Sequence, residues 1–169
     1  MTSSASRPHA ARKHKLAHFQ MTRRVGITAD QAFGIAADVG SYKEFLPLVV
    51  RSTVRGRKQV SPTKEQFAGD LQIRVEKLGL TENFTSQVET DAALRVVKAT
   101  SNDGPVKSLT AFWEIEAQGV AADVTIKVDY VLNNMLLQLA AGKFMDYAAQ
   151  KILSAFEARA TELYGSTSS

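Results

Sequence analysis

NMLLQLAAGKFMDYAAQKILSAFEARATELYG, residues 134–165, decides the fold. Met145, Ala148, Ile152, Phe156, Ala160 and Leu163 recur at steps of three or four, the period of one helix face. The spacing predicts one long helix from Asn134 to Tyr164, stopped at Gly165, a residue free to take the conformations that end helices. Its first half is apolar almost all round: Met135, Leu136, Leu137, Leu139, Ala140, Ala141, Phe144 and Met145 leave only a narrow polar stripe. Such a helix is expected to be covered on nearly every side.

Upstream the period is two. Leu48, Val50 and Val54 form one segment, Phe67, Leu71, Ile73 and Val75 a second, and Leu78, Leu80, Phe84 and Val88 a third. Leu109, Ala111, Trp113 and Ile115, then Ala122, Val124, Ile126, Val128 and Tyr130, alternate most clearly, with a weaker run, LRVVKAT, at 94–100 before them. Turn signals stand at SPTK (61–64), NDGP (102–105) and QGVAAD (118–123), and connections this short join antiparallel neighbours. Nearer the start, Ala17, Phe19, Met21, Val25 and Ile27 alternate, with Arg23 on the apolar parity. Thr28 and Gln31 then make a capping box for a short helix that Gly40 stops, and Ser41 with Glu44 repeats the box for one more turn before Pro47.

The order is strand, two short helices, six strands, long helix. The fold class is therefore α+β, a curved antiparallel sheet of about seven strands around the C-terminal helix, with a cavity where the sheet closes incompletely. A chain of 169 residues, 44% of them hydrophobic, suits one domain. Its expected span is 14–165, between a disordered basic tail at 1–13 and a short tail at 166–169.

Cysteine is absent, which excludes a disulfide framework, a thiolate nucleophile and cysteine-bound metal. The three histidines, His9, His14 and His18, crowd near the N-terminus, away from any triad partners. No apolar run reaches the roughly 18–20 residues that cross a bilayer. The net charge of +4 is uneven: six basic residues precede the first acid, Asp30, and the remainder carries fifteen basic and seventeen acidic residues. A second basic cluster, Arg51, Arg55, Arg57 and Lys58, is a candidate surface for anions or membrane headgroups. Aromatics do not interleave with these clusters, which argues against a nucleic-acid groove of stacked bases, and no DNA partner is expected.

No glycine-rich phosphate loop, nucleophile elbow or H-E-x-x-H pair is present. On strand parity Arg23, Glu82 and Lys98 are candidates to point inward, the first two as contacts for a polar ligand headgroup, against the plainer reading of ion pairing or solvation. Trp113 is either core or ligand contact, and Met135 and Met145 beside Phe144 are either core or an adaptable apolar surface. SYKEFLPLVV (41–50) has two readings as well: Tyr42, Phe45 and Leu46 close a cavity beneath Pro47 as a fixed plug, or form a lip that meets a membrane. Leu48 and Val50 are expected to begin the second strand facing inward.

Together, YKEFLPLV (42–49), GPVKSLTAFWEI (104–115), VDYVLNNMLLQLA (128–140) and FEARATELYG (156–165) resemble the coenzyme Q-binding COQ10 family, which includes the ribosome-association toxin RatA, within the START-like helix-grip superfamily. Tyr42, Phe45, Leu46 and Pro47 match one family segment, Gly104, Pro105, Leu109 and Trp113 another, and Tyr130 the aromatic position before the last helix. Leu48, Val49, Asn133 and Asn134 depart from the pattern.

The resemblance implies a non-enzymatic protein that holds ubiquinone or another polyprenyl quinone in an apolar cavity, with no catalytic cofactor and no metal. The cavity and its entrance are then expected to use Tyr42, Phe45, Leu46, Pro47, Leu48, Leu71, Ile73 and Leu109. Deeper, Trp113, Ile126, Tyr130, Met135, Leu136, Leu139, Phe144 and Met145 complete the set. Partners implied are a lipid and an anionic membrane surface, placing the protein in the bacterial cytoplasm against the inner membrane, or on the matrix side of the mitochondrial one. The alternative is a RatA-like inhibitor on the large ribosomal subunit, and a third reading is a polyketide cyclase or dehydratase using Arg23 or Glu82.

Overall fold

In the computed structural model, residues 16–165 are described. The expected tails, His9, His14 and the basic residues of the arm up to Lys15 lie outside them. The alternating segments become strands β1 (Ala17–Val25), β2 (Val49–Gln59), β3 (Lys64–Val75), β4 (Leu80–Asp91), β5 (Val96–Ser101), β6 (Val106–Gln118) and β7 (Ala121–Leu132). Helix α1 (Ala29–Ala37) and a 3-10 helix (Val39–Glu44) follow β1, and helix α2 (Met135–Tyr164) ends the order. All strand pairs are antiparallel, in the spatial order β1-β7-β6-β5-β4-β3-β2. This is the expected α+β arrangement, seven strands curved about the last helix.

Capping residues set the helix boundaries. The Thr28 hydroxyl accepts from the Gln31 backbone N–H at 3.1 Å and the Gln31 side chain accepts from Thr28 N–H, a complete capping box. Asn134 caps α2 by accepting from the N–H groups of Leu136 and Leu137 at 2.7 and 3.2 Å. The second expected box does not form: Ser41 lies inside the 3-10 helix, and its hydroxyl donates to Asp38 instead, at 2.7 Å. Helix α1 also ends at Ala37 rather than at Gly40, because the chain tightens directly into the 3-10 turn.

Parity matches expectation in most strands and departs from it in β2 and β5. In β2 a register shift between Val49 and Arg51 turns Val49 into the core, where Leu48 and Val50 were expected. In β5, Arg95 takes a left-handed backbone (φ 55), so Val97 and Ala99 face inward while Leu94 stays in solvent. Lys98 consequently points outward, over the ring of Phe112 at 5.8 Å. Leu78 belongs to a 3-10 turn (Glu76–Leu78) between β3 and β4 and is exposed.

Helix α2 is anchored by its second half. Ala148, Ala149, Leu153, Phe156 and Ala160 are buried against the sheet, and the small alanines let the helix approach closely. Arg23 on β1 reaches across to donate to Ser154 at 2.8 Å. The first half departs in part from expectation: Met135, Leu136 and Leu139 are 58, 76 and 64% exposed, while Ala141 is buried and Leu137, Ala140, Phe144 and Met145 are half-buried.

The turn of Gly104 and Pro105 fastens the start of α2 to the sheet. Asn133 donates from its side chain to Gly104 O at 3.0 Å and from its backbone to Pro105 O at 2.9 Å, while Asp103 accepts from Thr85 N–H at 2.9 Å. Gly104 has φ +64, and a Cβ there would lie 2.4 Å from Asn83 O. Gly119, at φ +65, faces open space. Gly119→Ala should therefore cost only backbone strain, about 1–2 kcal/mol, and Gly104→Ala clearly more, since β4 backbone must shift as well. Thermal unfolding of the two variants compares them directly, and equal losses would show that the close approach is relieved without strain.

Candidate functional site

Small side chains facing inward at neighbouring sheet positions leave a hole. Ala99, Ala111 and Val128 stand side by side across β5, β6 and β7, and Gly69 stands opposite Ser86 across β3 and β4. The result is a cavity of about 170 Å³ between the sheet and the 3-10 helix. Val39 and Tyr42 form its roof; Leu71, Phe84, Val88, Val97, Leu109 and Trp113 complete the walls. A Cβ on Gly69 would come within 3.2 Å of Val39 Cγ1, so the glycine lets the roof settle close to the sheet.

The lining carries no carboxylate, imidazole, ammonium or guanidinium group. Its polar side chains are Tyr42, Ser86 and the Trp113 indole. Tyr42, 7% exposed, donates its hydroxyl proton to the Ala36 carbonyl at the end of α1. Burial raises the phenol above its ordinary pKa, the polar edge of Trp113 only partly opposing the rise. On its other side Trp113 packs on Phe156 of α2 with ring centroids 5.3 Å apart. Trp113 is core and cavity wall at once.

Four of the residues expected at the site meet there: Tyr42, Leu71, Leu109 and Trp113. Leu46 is buried beside Tyr42, and Phe45 is half-buried, edge-on to the Tyr42 ring at 6.0 Å and beneath the Arg159 guanidinium at 5.3 Å. Arg159 also binds Glu44 at 2.9 Å, so the 42–46 stretch is pinned to α2 as a plug, with Pro47 exposed and Leu48 half-buried outside it. Ile126 and Tyr130 are buried on β7, flanking Val128 of the wall without lining the cavity themselves. Ile73, two residues beyond Leu71, and Glu82, opposite it in register, are half-buried towards the β3–β4 turn.

Other candidates lie elsewhere. Met145 and Phe144 are half-buried on α2, Phe144 with its ring 5.6 Å from Tyr147, and Met135, Leu136 and Leu139 face out. Arg23 is engaged by Ser154 and Glu157 on α2, outside the lining. Of the basic cluster, Arg55 is held by Asp70 through two bonds of 2.7 and 3.2 Å, and Arg57 by Glu65 at 2.6 Å while covering the Phe67 ring. Arg51 and Lys58 are exposed. Sequence reasoning did not name Val39, Phe84, Val88, Val97 and Val128 as wall residues, nor the small Gly69, Ser86, Ala99 and Ala111, for which the available signal was the lack of bulk at inward positions.

The end of the sheet at the β3–β4 and β5–β6 turns meets the first half of α2. The β3–β4 turn carries Leu78, and Lys77 beside it lies over the Tyr147 ring of α2 at 5.0 Å, with Lys151 on the same ring at 5.4 Å. The β5–β6 turn grips the start of α2, and Gln138 accepts from Leu132 N–H at 2.7 Å. By register, Leu71, Phe84 and Leu109 are the wall residues nearest this end. No helix among the described residues is long and apolar enough to cross a membrane.

The family described as polyketide cyclase/dehydrase and lipid transport matches residues 25–157. A ribosome association toxin RatA of Rickettsia prowazekii is 23% identical over 148 residues, 86% of this chain and 97% of that protein. The mitochondrial coenzyme Q-binding protein COQ10 of Dictyostelium discoideum is 26% identical over 172 residues, 99% of this chain and 80% of that one. A START superfamily protein of Mycobacterium smegmatis shares the fold with a TM-score of 0.72 at 15% identity, over 86% of this chain and 98% of the other.

Tyr42 makes the site sensitive to base. Its folded-state pKa is raised, so the stability it contributes is complete below about pH 10, the unfolded value, and is lost as pH climbs past it. Tyr42→Phe should flatten this alkaline loss, leaving the smaller share of Tyr130, also raised by burial, and should cost about 1–3 kcal/mol at neutral pH by stranding the Ala36 carbonyl. Urea titrations from pH 7 to 11 read both effects.

Proposed function

The chain belongs to the polyketide cyclase/dehydrase and lipid transport family, and from that membership and the cavity we propose that it binds a neutral polyprenyl lipid of the ubiquinone class and carries or presents it at a membrane surface. The observation that supports this most is the uncharged, apolar lining. Burying an unpaired charge there would be costly, so the chemistry favours a neutral ligand.

Size decides how such a ligand sits. A dry cavity of roughly 150 Å³ accommodates a single benzene ring, and this one, about 170 Å³, is of the same order. A polyprenyl tail needs far more room, within the roughly 300–1,000 Å³ of ordinary ligand pockets. The ring therefore enters the cavity and the tail leaves past Leu71, Phe84 and Leu109 towards the uncovered face of α2. There Met135, Leu136 and Leu139 give it apolar surface at about 25 cal/mol per Å² buried. Lys77 and Lys151, astride Tyr147, are placed to meet anionic headgroups beside that strip.

Two variants separate ring from tail. Ala111→Leu, which fills the cavity, should abolish recovery of quinone in organic extracts of the purified protein while stability is kept. Leu136→Ser with Leu139→Ser should leave a ring-sized quinone bound but reduce sedimentation with anionic phosphatidylglycerol vesicles severalfold. Mass spectrometry that finds no prenyl quinone in wild-type extracts, with no uptake from loaded vesicles, would sink the proposal.

A second reading is favoured by the RatA relative: association with ribosomal subunits. Charge-driven binding is strongest at low salt. The reading predicts co-sedimentation with subunits on a low-salt sucrose gradient, and protein that stays at the top of the gradient excludes it. The cyclase reading would need an acid or base in the cavity, and neither Arg23 nor Glu82 lines it.

A further inference from the structure

Of the polar side chains in the cavity wall, Tyr42 gives its proton to Ala36 O, and Trp113 packs on Phe156. Ser86 is 4% exposed, yet its hydroxyl makes none of the side-chain hydrogen bonds found among the described residues. It sits on the inward parity of β4, between Phe84 and Val88, opposite Gly69 on β3, where no side chain stands to shield it from the cavity. Among the described residues no buried side-chain oxygen or nitrogen is sealed away without a partner, so the Ser86 hydroxyl meets open cavity rather than packed atoms.

A hydroxyl in an apolar wall is costly unless something bonds to it, and nearby protein groups do not. We propose that Ser86 is the headgroup-reading residue of the cavity, donating its hydroxyl proton to one oxygen, such as a ring carbonyl, on an otherwise apolar neutral ligand. The inference rests on the ring-in-cavity reading above and goes beyond it by naming the atom that orients the ring. With the Tyr42 proton given to Ala36, Ser86 supplies the free hydroxyl donor of the wall, so a single carbonyl is bound and the opposite side of the ring stays in apolar surroundings. The narrow floor at Gly69 gives the oxygen the room it needs beside the serine. A ligand of the same outline without oxygen fills the space but leaves the hydroxyl unpaired, and the site discriminates against it.

The test uses two probes, ubiquinone bearing a single isoprene unit and a prenylated alkylbenzene of similar outline that lacks the carbonyl oxygens. Calorimetric titration of the wild-type chain should show tighter binding of the quinone. Ser86→Ala should weaken the quinone about five- to tenfold, the worth of one neutral hydrogen bond, and leave the hydrocarbon unchanged or tighter. Ser86→Thr, which keeps the hydroxyl, should restore most of the loss. Infrared spectra of the bound quinone, carbonyl-labelled, should show one of two carbonyl stretches lowered in the wild type and neither in Ser86→Ala. Equal weakening of both probes, or none, with unsplit carbonyl stretches, would reduce Ser86 to a wall residue and overturn the inference while the ring-binding reading stands. Failure of both probes to bind the wild type would overturn the two together.

Discussion

Trp113 is the junction on which the rest depends. One face of the indole carries Phe156, fully buried on α2, and the same cavity wall holds Tyr42, whose proton goes to the end of α1. Three elements that share no strand ladder, α1, the 3-10 helix and α2, thus meet around one residue of β6. Sheet hydrogen bonds alone would fix the strands relative to one another and leave the helices to slide. The indole sets their positions, and because it must serve both neighbours it cannot sink further into the sheet. The space left beyond it, above Ala99 and Ala111, is the cavity. Packing and cavity are two consequences of one contact, which is why a wall this apolar stays open rather than collapsing.

How much of this could be read in the chain depends on regularity. β6 and β7 alternate without interruption, and every inward residue named for them faces inward. β2 and β5 break the rule for local reasons: a register shift at Val49, and the left-handed backbone of Arg95. Neither leaves a mark in hydrophobic period, so Leu48 and Val50 exchanged places with Val49, and Lys98 exchanged with Val97. The site was half legible for a related reason. Large wall residues such as Leu109 and Trp113 announce themselves, whereas Gly69, Ser86, Ala99 and Ala111 make the hole by being small. Periodicity scores what is present. A cavity is read from inward positions where bulk is missing.

The long helix shows the same limit from the opposite side. Its sequence is most apolar where the structure covers it least, and the anchoring half, from Ala148 to Ala160, is the less hydrophobic of the two. Burial follows partners, and the partners lie over the second half: the β1 end at Arg23, Trp113, and the Glu44–Phe45 stretch held by Arg159. The first half is tethered at its root by Asn133 and Gln138, buries Ala141, and turns Met135, Leu136 and Leu139 outward. Exposed leucines in this number are costly in water, and a contiguous apolar strip rimmed by lysines marks a surface that meets something else.

The 42–46 stretch had seemed the natural candidate for that surface, being apolar and followed by arginines. Its geometry argues otherwise. Tyr42 and Leu46 are buried, Phe45 lies under Arg159, and Arg55 and Arg57 are spent on carboxylates of β3. Opening it would break the Tyr42 bonds and uncover Trp113 at the same time, so a motion there threatens the fold's own junction. Loosening the first half of α2 disturbs none of those contacts. The structure therefore separates two features that the sequence places close together by composition: a roof held against the sheet that shapes the cavity at one end, and at the other a helix whose Met135, Leu136 and Leu139 stay exposed.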